Sequence, residues 1–194
     1  GSVGSDVTVY SFQTVRLPNA IDGGGLGFCS RELYEKALKV RDYGINRSSF
    51  RNSVGEINPD CDISLPGYGA TLAETNSYIG TIQMAHLSEL ISAQSDKANS
   101  WKAEFDGNTK FGCSLQPQEN TAPNYWVYGV LSHDKQKAIK NFRNAGFFAS
   151  GVHLNNNNYS VFGHQSRLPG VEEFAVKFFA LPCGWWQKEE VRDK

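Results

Sequence analysis

The stretch SFQTVRLPNAIDGGGLGFCS, residues 11–30, decides how the chain begins to fold. Residues 7–12 (VTVYSF) alternate apolar and small polar side chains and consist mainly of strong strand formers, which predicts a half-buried strand. Pro18 and Asn19 indicate a turn, and three glycines then lead into a short apolar run at residues 26–29. The simplest interpretation is a strand, a loop and a second strand.

Helices are predicted on the C-terminal side of this stretch. Ser30 can cap a helix that runs to about Tyr43, where Gly44 provides the stop. Residues 45–68 are rich in Asn, Ser, Gly, Pro and Asp, and they predict a long ordered loop. One long helical pattern follows, from about residue 70 to residue 105, and a helix of that length commonly joins two lobes.

A second lobe is predicted from alternating strand and helix patterns. Residues 125–131 (YWVYGVL) predict a central strand, and residues 134–144 predict a helix with Gly146 just past its end. A strand is predicted at residues 149–154. An amphipathic helix covering residues 171–181 is predicted to stop before Pro182, and residues 188–194 begin a last helical pattern.

Charge and cysteine content exclude several classes of function. Nineteen basic and twenty acidic residues give a net charge of −1 with no long run of either sign, which argues against binding nucleic acid or an anionic membrane. The four cysteines are widely spaced, and they predict free buried thiols of a cytoplasmic protein and no metal site. No apolar stretch approaches the roughly 20 residues that span a bilayer.

Residues 11–24 resemble the signature of the DegT/StrS family of pyridoxal-phosphate (PLP) sugar aminotransferases. In that family a strand ends in Ser-Phe, a lysine follows four residues after the phenylalanine, and a Gly-Glu-Gly-Gly turn leads into a strand. Here Ser11 and Phe12 match, and residues 21–24 (IDGG) form the turn. Arg16 stands at the position of the lysine.

Later segments resemble the same family in order and spacing. Residues 41–44 (RDYG) are similar to its Arg-Asn-His-Gly helix end, and residues 66–74 (PGYGATLAE) to its Gly-Tyr-Asn-x-Arg-Met-x-Glu segment. Residues 151–154 (GVHL) resemble its Gly-Val-His-Tyr strand near the substrate. Residues 178–190, which include Lys188-Glu189-Glu190, resemble its closing Leu-Pro to Glu-Glu pattern.

The resemblance implies an α/β fold, namely the C-terminal part of the large domain of a fold-type I PLP aminotransferase followed by a small α/β domain. Residues 1–69 are expected to be a remnant of the PLP-binding large domain, and residues 70–105 the connecting helix. Residues 106–194 are expected to form the small domain.

The same resemblance implies site residues. Ser11 would contact the cofactor phosphate, and Gln13 occupies a family histidine position. Gly69 stands where the family has an asparagine that reaches the PLP phosphate of a neighbouring subunit, and Thr71 replaces an arginine. His153 would be a polar group on the substrate side.

Each of these residues also has a purely structural interpretation. Ser11 can bond to its own backbone, and Arg16 can pair with Asp22 or another acid. His153 can be a strand residue bonded to a backbone carbonyl. Trp185-Trp186 could be a stacking platform, although packing at the lobe boundary is the favoured interpretation.

Transamination needs an amine that bonds to the cofactor aldehyde and then shuttles a proton. A lysine side chain can lose its proton and do both, whereas an arginine guanidinium stays protonated and is a poor nucleophile. Arg16 therefore predicts that PLP is not held covalently. In the family, the groups around the pyridine ring also come from the part of the chain before the Ser-Phe strand.

The predicted function is therefore a partial or degenerate PLP-dependent nucleotide-sugar aminotransferase-like protein that does not transaminate alone. One alternative is a half-site subunit of an active keto-sugar aminotransferase or dehydratase, completed by a partner chain or by a homodimer. Another is a non-catalytic sugar-nucleotide-binding or scaffold module. Outside the family, an α+β ligand-binding domain with an unrelated pocket would fit. Whether the chain is an enzyme by itself is left open.

Overall fold

A computed structural model describes residues 4–163 and 166–187 of the chain, which divides into two units, Gly1–Ala85 and His86–Lys194. Each unit contains both helices and strands, so the predicted mixed α/β class is confirmed. Within the described residues, no helix is long and apolar enough to cross a membrane.

An antiparallel hairpin opens the first unit. Strand β1 (Val7–Ser11) pairs with β2 (Gly24–Phe28), so that Val7 lies opposite Phe28 and Ser11 opposite Gly24. None of its ten positions is buried, and among the described residues no third strand pairs with it. A two-stranded sheet of this kind is marginally stable by itself, because it cannot cover an apolar face.

Two helices complete the first unit. Helix α1 (Arg31–Arg41) begins where the sequence predicts, because the Ser30 side chain accepts a hydrogen bond from the backbone N–H of Leu33 at 3.4 Å. Helix α2 covers Glu74–Ala85. The predicted loop between them contains one isolated bridge, which pairs Arg51 with Ile57.

The long helical pattern at residues 70–105 forms two helices instead of one. Helix α2 ends at Ala85, and α3 (Leu87–Gly107) begins after His86, whose backbone angles of φ −106° and ψ 8° are not helical. The sequence could not reveal this break, because apolar periodicity reports which faces are buried and not the backbone angle of a single residue. The division between the two units falls at the same place.

The second unit is built on a three-stranded antiparallel sheet in the order β3 (Cys113–Ser114), β4 (Tyr128–Leu131) and β5 (Phe178–Leu181). Helices α3, α4 (Lys135–Asn144) and α5 (Pro169–Lys177) accompany it. Its core consists of buried, mostly aromatic and aliphatic side chains from these elements: Ala98, Phe105, Tyr128, Val130, Ala138, Ala149, Phe179, Leu181 and Cys183.

Two predicted elements of the second unit are wrong. The helix predicted to run to Leu181 ends at Lys177, and Phe178–Leu181 is a strand whose last three residues are buried against β4. A short apolar run can form either a helix or a strand, and here pairing with β4 makes it a strand. The predicted strand at residues 149–154 is only a single bridge between Ser150 and Ala180. The predicted last helix lies outside the described residues.

All four cysteines are free, as predicted, but only Cys183 is buried. Burial raises the pKa of its thiol to about 12. Cys29 and Cys113 are exposed, so the expectation of buried thiols is wrong for them. Cys29 follows the end of β2 and Cys113 lies in the two-residue strand β3, and the residue pattern does not indicate that either position is open to solvent.

Candidate functional site

The loop that joins β1 to β2 carries three of the predicted site residues. Ser11 ends β1, and the hairpin continues past it because the N–H of Phe12 donates to Gly23 at 2.9 Å. A tight turn follows, in which the N–H of Arg16 donates to the carbonyl of Gln13 at 2.8 Å. Ser11 and Gln13 are exposed and Arg16 is half-buried. Ser11, at the end of β1, and Gln13 and Arg16, in the turn that follows, thus lie at the same end of the hairpin.

Helix α2 and the segment before it hold this loop in place. The side chain of Leu72 lies against Gly23, and a Cβ at Gly23 would overlap it. The Asn76 amide donates to the backbone carbonyl of Asp22 at 3.4 Å. Ala20 is 1% exposed, and a side chain at Gly80 would press on it. The loop is therefore packed rather than free.

Ile21 has a backbone conformation that favours glycine. Its φ is +66°, in the left-handed region that a β-branched residue rarely adopts. It occupies the first position of the turn at residues 21–24, where the resembled pattern has glycine. A β-branched residue held in this conformation costs of order 1–3 kcal/mol. An isoleucine at this position gives no indication in the sequence of a left-handed backbone conformation.

Gly69 lies beside the C-terminal end of α1. It forms an isolated bridge with Asp42, and the N–H of Ala70 donates to the carbonyl of Arg41 at 3.0 Å. The ring of Tyr43 covers Gly69, and any Cβ at that position would overlap the phenol. Tyr43 therefore occupies the space that a side chain at residue 69 would need.

Asp42 is the most buried charged group of this region, at 2% exposure. Its carboxylate accepts hydrogen bonds from Arg47 at 2.7 Å and from Arg41 at 2.8 Å. The bond from Arg47 is the largest cause, followed by that from Arg41, of the lowering of the Asp42 pKa from 3.8 to about 2. This cluster ties the loop after α1 to the helix end. The predicted helix end at residues 41–44 contained Asp42, but Arg47 was missed.

The donors on the hairpin loop suit a phosphate but not a covalent bond to PLP. The Ser11 hydroxyl, the Gln13 amide and the Arg16 guanidinium can all donate hydrogen bonds to an anion. No residue between 11 and 30 is a lysine. These three side chains therefore carry hydrogen-bond donors, and the stretch contains no lysine amine.

His153 belongs to the second unit, and it is not in a strand. Its exposed ring stacks on Trp126, with ring centroids 5.9 Å apart and an angle of 25° between the planes. The preceding residue, Val152, has φ +62°, another left-handed β-branched residue. The N–H of His153 donates to Gly151 at 2.8 Å. The alternative of a strand histidine is therefore wrong.

Trp185 and Trp186 contact one another edge to face, with centroids 5.9 Å apart. They are 37% and 60% exposed, so neither ring is packed in a core. Thr71, at the position of the family arginine, is exposed as well. Residues 188–190, which resemble the closing family pattern, lie outside the described residues.

Comparison with known proteins identifies the family. The sequence pattern of the DegT/DnrJ/EryC1/StrS aminotransferases matches residues 1–191. The sugar aminotransferase CalS13 from Micromonospora echinospora is 25% identical with a TM-score of 0.85, and the match covers 96% of this chain and 49% of that one. PseC from Helicobacter pylori, an aminotransferase involved in pseudoaminic acid biosynthesis, is 20% identical with a TM-score of 0.80. The match covers 96% of this chain and 50% of PseC.

A third structure shares the fold. The E. coli GDP-4-keto-6-deoxy-D-mannose-3-dehydratase, solved with hydrated PLP bound, is 16% identical with a TM-score of 0.77, and the match covers 96% of this chain and 52% of that one. The chain spans about half the length of these structures. The predicted resemblance is confirmed: the chain belongs to the DegT/DnrJ/EryC1/StrS aminotransferase family.

Proposed function

We propose that this chain is a degenerate PLP-dependent nucleotide-sugar aminotransferase-like protein that does not transaminate alone. One observation supports the proposal: the turn after β1 carries Arg16, at the position where the resembled motif has its lysine, and residues 11–30 contain no lysine. A guanidinium holds its proton, so Arg16 cannot act as nucleophile or proton carrier. Loss of the amine removes the reaction and leaves the anion-binding donors.

The cofactor we propose is PLP, held without a covalent bond. Bound PLP supplies the electron sink on which amino-group transfer depends. Ser11, Gln13 and Arg16 would bind its phosphate through hydrogen bonds, because their donors lie on the same loop. A guanidinium is well suited to this role, since its planar fork of donors matches two phosphate oxygens.

The substrate class we propose is a nucleotide-linked keto sugar, as in the named dehydratase that shares the fold. The exposed ring of His153, stacked on the half-buried ring of Trp126, offers a polar edge beside an aromatic face, a combination that suits the hydroxyls and C–H groups of a sugar ring. His153 would orient the sugar and not exchange protons with it.

A protein partner is proposed because the hairpin is incomplete. Val9, Tyr10 and Leu26 are 75%, 52% and 53% exposed, and no third strand pairs with the hairpin in the described ranges. An open strand edge next to apolar side chains favours pairing with another chain. We therefore propose that a partner chain, or a second copy of this one, covers the hairpin and completes the site.

The test of covalent chemistry uses Arg16→Lys. Wild-type chain and variant are incubated with PLP, reduced with borohydride and mapped by peptide mass. We expect no specific adduct on the wild-type chain and an adduct at residue 16 of the variant. Thr14→Lys is the matched control, because Thr14 is exposed on the same turn. A stoichiometric adduct at one native lysine of the wild-type chain would sink the proposal, and so would equal labelling of the two variants.

The test of the partner uses hydrogen exchange. In dilute solution the β1 amides are expected to exchange rapidly, since the hairpin is open to solvent. Addition of a polypeptide that supplies the other half of a family member, or a rise in chain concentration, should protect them while the amides of α4 stay unchanged. Protection of β1 already present in the dilute monomer contradicts the partner proposal.

A further inference from the structure

The second unit contains a cavity of about 260 Å³ that lies outside the hairpin loop. Its walls are aromatic side chains: Trp101, Phe105, Phe111, Phe142 and Phe147. Rings meet edge to face around it, with centroids 4.9 Å apart for Trp101 and Phe147 and 5.6 Å for Phe111 and Phe142. The Trp101 indole N–H donates to the carbonyl of Pro182 at 2.9 Å, which fixes that ring.

The rim of the cavity is polar and charged. Lys97, Ser100 and Glu104 line it from one face of α3, and Asn108 lines it from just past the end of that helix. In the described part of the chain, neither Lys97 nor Glu104 belongs to an ion pair. Their Cα atoms are seven residues apart, about 10 Å along the helix, so two long side chains can converge from either end on one bound group.

We infer that this cavity binds an aromatic α-amino acid. The ring would enter the aromatic walls, since an apolar cavity of only roughly 150 Å³ is already enough for a benzene molecule. The ammonium would meet Glu104 and the carboxylate Lys97, so that each rim charge gains an opposite one. A ligand with a single charge would leave one rim charge without a partner. The inference does not depend on the proposed cofactor site, because the two sites share no residue.

The test measures binding of three probes to the whole chain by calorimetry. L-Phenylalanine carries both charges, 3-phenylpropanoate lacks the ammonium, and 2-phenylethylamine lacks the carboxylate. We expect L-phenylalanine to bind about tenfold more tightly than either analogue, the effect of one charged hydrogen bond. Equal affinities for the three probes, or no heat with L-phenylalanine at millimolar concentration, overturn the inference.

Variants assign the roles of the two charges. Lys97→Gln should weaken the binding of L-phenylalanine and 3-phenylpropanoate about tenfold and leave that of 2-phenylethylamine unchanged. Glu104→Gln should weaken the binding of L-phenylalanine and 2-phenylethylamine about tenfold and leave that of 3-phenylpropanoate unchanged. Lys102→Gln, on the same helix but outside the lining, is the control and should change nothing. Loss of affinity with Lys102→Gln equal to that with Lys97→Gln would show a nonspecific charge effect and refute the assignment.

A filling variant tests the walls. Ser100→Phe places a ring in the cavity mouth and should abolish binding of all three probes. Asn99→Phe, on the exposed side of the same turn, should not. Thermal unfolding followed by tryptophan fluorescence verifies that each variant is folded. If Ser100→Phe does not fold, the Lys97→Gln and Glu104→Gln variants test the site instead. Unchanged binding by a folded Ser100→Phe protein refutes the cavity as the site.

Discussion

Gly69→Ala tests whether the Tyr43 ring occupies the space that a side chain at residue 69 would need. The alanine Cβ would overlap the Tyr43 ring, so the ring has to leave its place. Tyr43 is 63% exposed, so only about a third of its surface is buried and can become exposed when the ring moves. A tyrosine buries about 150–250 Å² when it is fully covered. A third of that area, near 70 Å², is worth about 2 kcal/mol at 25 cal/mol per Å².

The backbone contribution of the alanine has the opposite sign. Replacing glycine by alanine at a compatible conformation stabilises a protein by about 0.4–1 kcal/mol. The φ of Gly69 is not among the left-handed ones, so this gain applies. Gly69→Ala is therefore expected to lower the free energy of unfolding of the first unit by about 1–1.5 kcal/mol. In a Tyr43→Gly background the same change should be neutral or stabilising, since no ring is displaced.

The assay exploits the distribution of tryptophans. All four lie in the second unit, so their fluorescence follows that unit alone, while far-ultraviolet circular dichroism follows both. In urea titrations, Gly69→Ala should shift only the transition that fluorescence does not report. If Gly69→Ala lowers the free energy of unfolding equally in the Tyr43→Gly background, the loss does not arise from displacement of the Tyr43 ring, and the prediction is refuted.

Three further predictions follow from single residues. Asp42 has a folded-state pKa of about 2 against 3.8 unfolded, so its contribution is complete above about pH 5 and is lost as the pH falls toward 2. Asp42→Asn should flatten the pH dependence of the circular dichroism transition in that range. Phe179, at 0% exposure, should cost about 3–5 kcal/mol when changed to alanine, seen as an earlier fluorescence transition in urea. Cys183 should resist iodoacetamide at pH 8 while Cys113 reacts, because burial raises its pKa to about 12; peptide mass mapping reports both, and equal labelling contradicts the burial argument.

The sequence predicts best where a local signal decides the structure. Ser30 caps α1 as expected, and Asp134 caps α4 by accepting a hydrogen bond from the N–H of Lys137 at 3.0 Å. The hairpin at residues 7–28 also follows the residue pattern, since alternation and glycine turns act within a few residues. These elements need no knowledge of the rest of the fold.

The prediction fails where distant residues decide. Phe178–Leu181 becomes a strand because β4 lies beside it, and the break at His86 falls where the chain passes from one unit to the next. The motif in the sequence predicts that Ser11, Gln13 and Arg16 lie close together on the hairpin. It does not predict the contact of Tyr43 with Gly69. Those two residues are adjacent only in space, and a glycine gives no sign of what covers it.

The open hairpin has a consequence for the cell as well as for the site. In the ranges that the structure describes, the hairpin has an unpaired strand edge next to Val9 and Leu26, and such an edge is a template for aggregation when the chain is made in excess. If a partner covers that edge as proposed, copies made in excess of the partner would become substrates for chaperones and proteases. On that basis, the dosage of such a protein would be under tighter selection than its turnover.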